Sequence, residues 1–310
     1  MKKNKYLLFF CLIATQIFSQ NTIKSRVVNA QNTEGVAYAA VGLVKENIGI
    51  STDENGYFEL ISNINDDSLM VSCVGYLAVK ISVSNLTSVV KLVPSAIELK
   101  TLIVKPKKRQ LLEVNGFGKK NIGTGFQNNL KSIAQIAQFI KNTDGNLWYL
   151  KEINIARRTK TYLNKKQKTQ FRVRFYDVDE KGKPNNDIYE SILVTNESDK
   201  IIKIDVENKK MLLPQNGMFV AIEWIKIPAN FIDEKYKTHL TVNGENQGRK
   251  EVNDKFYTPM VIYRKPYEKE KNCKVFSLNY KGEWSERCGE YPFDKKGFMN
   301  NLAIGVTVTD

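Results

Sequence analysis

The chain has 310 residues, of which 42% are hydrophobic, and it carries a formal net charge of +14. This length is enough for two domains of ordinary size, and the hydrophobic fraction excludes a disordered chain. The positive charge is typical of proteins with anionic partners, such as nucleic acid, acidic lipid headgroups or acidic polysaccharide.

Residues 1–20 predict a secretory signal peptide. Three lysines precede an apolar run over 7–17, and cleavage is expected near Gln20. Cys11 lies inside the apolar run after two phenylalanines, which does not fit the cleavage site of a lipoprotein. No later segment reaches the roughly 18 apolar residues of a membrane-spanning helix. We therefore expect export without a transmembrane helix, to the periplasm, the outer membrane or the medium.

Residues 21–100 predict an all-β domain, because short alternating segments are separated by turns at intervals of about 8–12 residues. Within this region the stretch STDENGYFEL places Asp53 and Glu54 directly before Asn55-Gly56. Asn-Gly favours a tight hairpin corner. A metal site would need about four or more converging oxygens, and the neighbourhood offers only the carboxylates of Asp53, Glu54 and Glu59. The pattern therefore favours a turn over a metal site.

The order of these strands resembles the carboxypeptidase-regulatory-like domain. The turn D-x-N-G-x-F appears over 53–58, the step Gly75-Tyr76 follows, and Leu92 and Leu99 form the closing pair. The front strand, KSRVVNAQNTEGVAYAAV, lacks the usual Gly-x-Val start. The resemblance covers residues 22–100, and it implies a small prealbumin-like β-sandwich of the kind common at the front of exported bacterial envelope proteins.

A linker is predicted over 101–125, where Pro106, a basic run and four glycines interrupt the alternation. Between Lys100 and Arg174 the chain has 18 Lys and Arg against 3 Asp and Glu, so this segment accounts for the whole positive excess. The block is either an anion-binding surface or a solvated face with an interdomain linker. Export argues against nucleic acid, and an anionic glycan or an envelope protein is the expected kind of partner.

Residues 126–310 predict a second β-sandwich of about eight strands, jelly-roll-like in arrangement. Its segments FRVRFYDVDEKGKPNNDI and LLPQNGMFVAIEWI are similar to β-sandwich modules of exported bacterial proteins, some of which bind carbohydrate. The segment 130–142 is ambiguous, because its isoleucines fit a helix face while the strand-rich surroundings favour a strand. The fold class expected for the chain is all-β with two sandwich domains.

Three cysteines remain after signal cleavage. Cys273 and Cys288 flank a predicted turn near 280–282, which would bring them opposite or nearly opposite on paired strands. In an exported protein this favours a disulfide over two reduced thiols. Cys73 lies in the apolar run LMVSCVGYL and is expected to behave as a small buried hydrophobe.

The single histidine, His239, limits the possible chemistry. Zinc peptidase sites need two histidines, and a Ser-His-Asp triad would have to use His239 without any G-x-S-x-G motif. We interpret His239 as an ordinary strand residue and expect no enzyme activity and no cofactor. Two acidic alternatives stay open: a carboxylate-based glycosidase and a calcium loop. The calcium loop would use four residues, which are Asp177, Asp179, Glu180 and Asp187.

Seven residues are candidates for ligand binding. Trp148 and Trp224 lie in apolar segments and are either core or binding residues, whereas Trp284 follows a hairpin tip and is expected to be exposed. The other four are basic, namely Arg157, Arg158, Lys165 and Lys166. Together these features predict a non-enzymatic, exported interaction or binding module of the cell envelope, or alternatively a carbohydrate-binding accessory protein for acidic polysaccharide.

Overall fold

The computed structural model describes residues 21–64, 66–95, 110–118, 122–128, 132–161, 163, 166–242, 245–264, 274–287 and 301–310. The protein is all-β, with 60% strand and 4% helix, as the sequence predicted. No helical segment in the described part of the chain has the length and hydrophobicity needed to cross a bilayer. The predicted signal peptide, with Cys11, lies outside the described residues.

The first domain is a sandwich of two small sheets. Its strands are β1 (Asn21–Asn29), β2 (Ala40–Leu43), β3 (Ile48–Ser51), β4 (Tyr57–Ser62), β5 (Ser68–Ser72), β6 (Val79–Ser82) and β7 (Val89–Leu92). One sheet has the order β4-β1-β7, with β1 antiparallel to β4 and parallel to β7. The other has the order β3-β2-β5-β6. A 3-10 turn spans Val83–Asn85.

Strict alternation builds the core of this domain. In β4, Phe58 and Leu60 are buried while Tyr57 and Ile61 face outward. The buried side chains of both sheets form one apolar cluster that includes Val41 and Leu69. Apolar residues at every second position therefore specify which face of each strand is buried.

The acidic stretch after β3 is a turn. The Asp53 carboxylate oxygen Oδ1 accepts hydrogen bonds from the backbone N–H groups of Asn55 (2.9 Å) and Tyr57 (2.8 Å). Gly56 has a φ of +86°, a conformation that side chains strongly disfavour. The predicted turn is therefore present, but it is not a hairpin, because β3 and β4 belong to different sheets and the turn carries the chain from one sheet to the other.

The second domain contains two larger sheets. The seven-stranded sheet consists of β10 (Ile133–Ile140), β12 (Thr169–Val178), β13 (Pro184–Asp187), β14 (Ile192–Asn196), β17 (Met218–Trp224), β20 (Val275–Asn279) and β21 (Trp284–Glu286). Six of its strands lie in the order β13-β12-β17-β10-β20-β21, and β14 also pairs with β12. The segment 130–142, which was ambiguous in the sequence, thus contains a strand at the centre of a sheet.

The eight-stranded sheet packs against the first one. It consists of β8 (Leu111–Val114), β9 (Ile122–Asn128), β11 (Trp148–Arg158), β15 (Ile201–Asp205), β16 (Leu212–Leu213), β18 (Phe231–Val242), β19 (Glu245–Arg264) and β22 (Ile304–Thr309). Five of its strands lie in the order β18-β19-β11-β22-β8. β15 and β16 also pair with β11, and β9 pairs with β19. Short 3-10 turns lie at Glu207–Lys209 and Pro228–Asn230. The core between the sheets includes Val173, Ile222, Ile153 and Val306.

Two strands occupy the segment that the sequence assigns to a linker. β8 pairs with β22 through Leu111↔Thr309 and Val114↔Val306, and β9 pairs with β19. The segment is therefore not a linker throughout, because its second part belongs to the eight-stranded sheet. The partners of β8 lie near the far end of the chain, so no local pattern reveals this pairing.

Candidate functional site

The outer face of the seven-stranded sheet carries charged side chains. In β12 the alternation sends Phe171, Val173 and Phe175 into the core, so the intervening Arg172 and Arg174 lie on the opposite face. That face is the one that contacts the first domain. The guanidinium group of Arg172 donates hydrogen bonds to the carbonyl oxygens of Tyr38 (2.7 Å) and Ala37 (2.9 Å).

Main-chain contacts reinforce this docking. The Lys226 N–H donates to the Ser51 hydroxyl (2.9 Å), and the Ser51 N–H donates to the Lys226 carbonyl (3.2 Å). The Tyr280 N–H donates to the side-chain oxygen of Asn47 (3.2 Å). These bonds have fixed directions, so the two domains meet in a defined orientation.

The Tyr280 ring packs against two glycines of the first domain. A Cβ atom on Gly42 would lie 2.4 Å from the Tyr280 ring, and one on Gly49 would lie 2.3 Å from it. The Lys226 ammonium lies 4.8 Å from the centroid of the same ring and 5.7 Å from that of Tyr257. Burial lowers the pKa of Lys226 to about 7, because a charged ammonium is poorly solvated there.

A charge cluster lies next to this contact. Arg174 forms an ion pair with Asp187, in which Nε donates to Oδ1 at 3.1 Å and Nη2 contacts Oδ2. The Glu223 Oε2 atom lies 3.7 Å from Arg172 Nη1 and 3.8 Å from Arg174 Nη1. Burial opposes the charge of Arg174, but Tyr176, Glu223 and Asp187 together raise its pKa above the ordinary value. The charge of Arg174 is thus stabilised, and the two guanidinium groups lie beside two carboxylates.

A cleft of about 880 Å³ opens beside the cluster, between the domains. The first domain contributes the segment after β5, including Cys73, Tyr76 and Ala78. The second domain contributes the remaining wall, which includes Gln135, Arg174, Tyr176, Asn185, Asn186, Asp187, Tyr189, Leu212, Pro214, Leu278 and Trp284. Aromatic rings and hydrogen-bonding groups line this cleft together, as is typical of small-ligand sites.

The walls of the cleft are held in place from behind. The Tyr176 hydroxyl donates to Gln135 Oε1 at 2.7 Å, and burial raises the pKa of Tyr176 well above its usual range. The Trp284 ring packs edge-on against the Tyr176 ring, with centroids 5.3 Å apart. The Tyr189 hydroxyl donates to the Leu212 carbonyl at 2.8 Å. Burial raises the pKa of the Cys73 thiol, which keeps the thiol protonated.

The three tryptophans occupy different environments. Trp148 and Trp224 are buried in the core, where their indole N–H groups donate to Asp144 Oδ1 (2.8 Å) and to the Pro259 carbonyl (2.9 Å). Both are therefore core residues, which is one of the two interpretations that the sequence left open. Trp284 is partly exposed and lines the cleft.

The three basic candidates that the structure describes do not form one surface. Arg157 is 0% exposed, and its guanidinium group donates to Asn196 Oδ1 (2.7 Å) and the Gln167 carbonyl (2.8 Å). Burial lowers its pKa to about 10. Arg157 is therefore a buried structural residue, contrary to the binding role expected for it. Arg158 is partly exposed and Lys166 is exposed, while Lys165 lies outside the described residues.

The four acidic residues of the calcium hypothesis do not converge. Asp177 Oδ1 accepts from the Asn186 N–H, and Asp179 Oδ1 accepts from the N–H groups of Lys181 and Lys183. Asp187 is paired with Arg174, and Glu180 is exposed. In the part of the chain that the structure describes, no group of three or more His, Cys, Asp or Glu side chains is arranged to hold a metal ion.

The predicted disulfide remains a prediction, because Cys273 and Cys288 lie outside the described residues. The hairpin expected between them is present, since β20 and β21 pair antiparallel around a turn in which Gly282 has a φ of +84°. His239 lies in β18 with its backbone opposite Arg249, as expected of a strand residue.

The sequence pattern already contained a sign of the charged face. In FRVRFY, two arginines alternate with three large apolar residues, so one face of a core strand must carry the guanidinium groups. Such a pattern on a central strand indicates that a second layer covers that face. The roles of Gln135 and Glu223 had no comparable sign, because each is a single polar residue in an apolar strand.

Comparison with known proteins identifies the first domain. Residues 23–104 match the family model of the CarboxypepD_reg-like domain. This match confirms the resemblance that the turn at 53–58 and the Gly75-Tyr76 step had indicated. A search against curated proteins finds no match for the chain.

Proposed function

We propose that this protein is a non-enzymatic, exported binding module of the cell envelope, and that it holds its ligand in the cleft between its two domains. The observation that carries the proposal is the cleft itself, since both domains contribute walls and directional hydrogen bonds fix their orientation. The CarboxypepD_reg-like domain supports a non-catalytic role. The segment over 1–20, typical of a signal peptide, supports export.

The buried charged residues behind the cleft support a site that is ordered before a ligand binds. Arg172 is 8% exposed and Glu223 is 3% exposed, so the groups behind the cleft are shielded from water and hold their geometry without a ligand. A site that is already ordered loses little conformational entropy when it binds. The cleft therefore needs no domain movement to accept a ligand.

Site-specific crosslinking tests this proposal with a pair of neighbouring positions. Ala78 is exposed and lines the cleft, whereas Leu77 is 55% exposed and is not among the lining residues. A photo-reactive phenylalanine at position 78, in protein produced in its native envelope, is expected to give a discrete adduct that position 77 does not give. Equal adducts at both positions, or none at either, would contradict the proposal.

A further inference from the structure

Gln135 offers a hydrogen-bond donor to the cleft. Its side chain is 2% exposed, and its carbonyl oxygen accepts the Tyr176 hydroxyl. Within the described part of the chain, the amide nitrogen of Gln135 has no acceptor. Because Gln135 lines the cleft, this amide nitrogen can donate a hydrogen bond to a ligand there.

Other groups around the cleft add donors and acceptors. Asn185 and Asn186 are exposed, and their side-chain amides make no hydrogen bond to any residue that the structure describes. The same holds for the indole N–H of Trp284. The Asp187 carboxylate contacts Arg174 with both oxygens, but a carboxylate has about four acceptor positions, so each oxygen can accept a further donor.

Aromatic rings supply flat apolar surfaces on both sides of the cleft. Trp284 stands on the Tyr176 ring, and Tyr189 is fixed by an edge contact of 6.0 Å with Phe175. Tyr76 contributes from the first domain. Rings that alternate with amide and carboxylate groups match a ligand with apolar C–H faces and hydroxyl groups around its edge.

The charges of the site cancel. Glu223 lies within 3.8 Å of both Arg172 and Arg174, and Asp187 is paired with Arg174. A site with two compensated guanidinium groups has no spare positive charge for an anion. The cleft therefore differs from what the chain's net charge of +14 suggests.

We infer that the interdomain cleft binds a neutral oligosaccharide, with a sugar ring against Trp284 and sugar hydroxyls bound by Gln135, Asn186 and Asp187. This inference rests on the proposed function, because it names the ligand class of the same site. It departs from an acidic polysaccharide as the ligand, since that would need uncompensated basic groups in the cleft.

Calorimetric titration of the full mature chain tests the inference. The probes are neutral hexasaccharides built from glucose, mannose, galactose or xylose, with oligogalacturonates of equal length as the acidic set. At least one neutral probe is expected to bind, with the same affinity at low and high salt because no net charge is involved. Trp284→Ala is expected to weaken binding about tenfold or more. Asn186→Ala, at an exposed position, is expected to weaken binding several-fold without affecting folding.

Tyr57→Ala is the matched control, because Tyr57 is an aromatic residue 54% exposed outside the cleft. It should leave the affinity unchanged. Binding of the acidic probes alone, or neutral binding that Trp284→Ala does not alter, would overturn the inference. Absence of all glycan binding would also overturn it, while an adduct specific to position 78 would leave the proposed function standing.

Discussion

Arg172 of the second domain donates a 2.7 Å hydrogen bond to the carbonyl oxygen of Tyr38 in the first domain. Tyr38 has a positive φ of +57°, which is uncommon for a residue other than glycine, and its hydroxyl donates to Glu54 at 2.9 Å. The turn that follows β3 thus holds Tyr38, and Tyr38 presents its carbonyl to Arg172. The turn of the first domain is in this way connected, through Tyr38, to the outer face of the seven-stranded sheet.

Replacing Arg172 should therefore weaken the whole protein. Arg172→Met removes two hydrogen bonds to carbonyl groups and leaves Glu223 with one fewer cationic neighbour, so the free energy of unfolding should fall by about 3 kcal/mol. Urea denaturation measures this change. Lys168→Met is the control, because its pair with Glu197 is 65% and 70% exposed and should matter by less than about 1 kcal/mol. Equal losses for both variants would contradict this role of Arg172.

The close approach of Gly49 to Tyr280 makes a second prediction. A methyl group on Gly49 would lie 2.3 Å from the Tyr280 ring, so Gly49→Ala must separate the domains or distort the ring, at a cost of about 1–3 kcal/mol. Gly118→Ala is the control, because nothing lies within 4 Å of its Cβ position. Thermal melting compares the two, and an unchanged midpoint for Gly49→Ala would show that this contact is not tight.

The sequence predicted what depends on local pattern. The alternating segments predicted strands, and the stretch 53–56 predicted the turn. Neither reveals which strands pair. The assignment of β3 and β4 to different sheets, and of β8 to a sheet with β22, depends on contacts between distant segments. Composition also misled, since Arg157 belongs to the basic block yet is fully buried.

Arg157 should matter for stability and not for binding. Its guanidinium group satisfies the Asn196 side chain and the Gln167 carbonyl from a buried position. Arg157→Met should lower the free energy of unfolding by about 2–4 kcal/mol, because those acceptors lose a charged donor. Lys166→Met, at an exposed position, should leave stability unchanged. Urea denaturation measures the effect on stability, and retention on an anionic matrix measures the effect on binding. An Arg157→Met variant that is as stable as the parent but is retained less would contradict the structural role.

The predicted disulfide between Cys273 and Cys288 is tested by a peptide map without reduction. The β20–β21 hairpin supports the pairing, because it returns the chain after a tight turn. We expect one linked peptide that separates on reduction, while Cys73, which is a free thiol, is alkylated without reductant once the chain is unfolded. Alkylation of all three cysteines before reduction would show that the bond is absent.

Lys226 should give the protein a pH-dependent stability. Burial lowers its pKa to about 7 in the folded protein, from an ordinary value of 10.5. Between these values the unfolded chain binds a proton that the folded chain does not, so stability should rise with pH by up to about 1.4 kcal/mol per unit. Below pH 7 both states carry the proton, and the full cost of a buried ammonium is present.

Lys226→Met removes this charge and fills a similar volume beside Tyr257 and Tyr280. The variant should be more stable than the parent at and below neutral pH, and the difference should shrink as pH rises toward 10. Lys255→Met is the control, because Lys255 is 44% exposed and paired with Asp233, and it should leave the slope unchanged. Urea denaturation from pH 6 to pH 10 measures both curves. If the parent and Lys226→Met show the same slope, the ammonium is not buried at the domain contact, and the docking of the two domains must differ from that described.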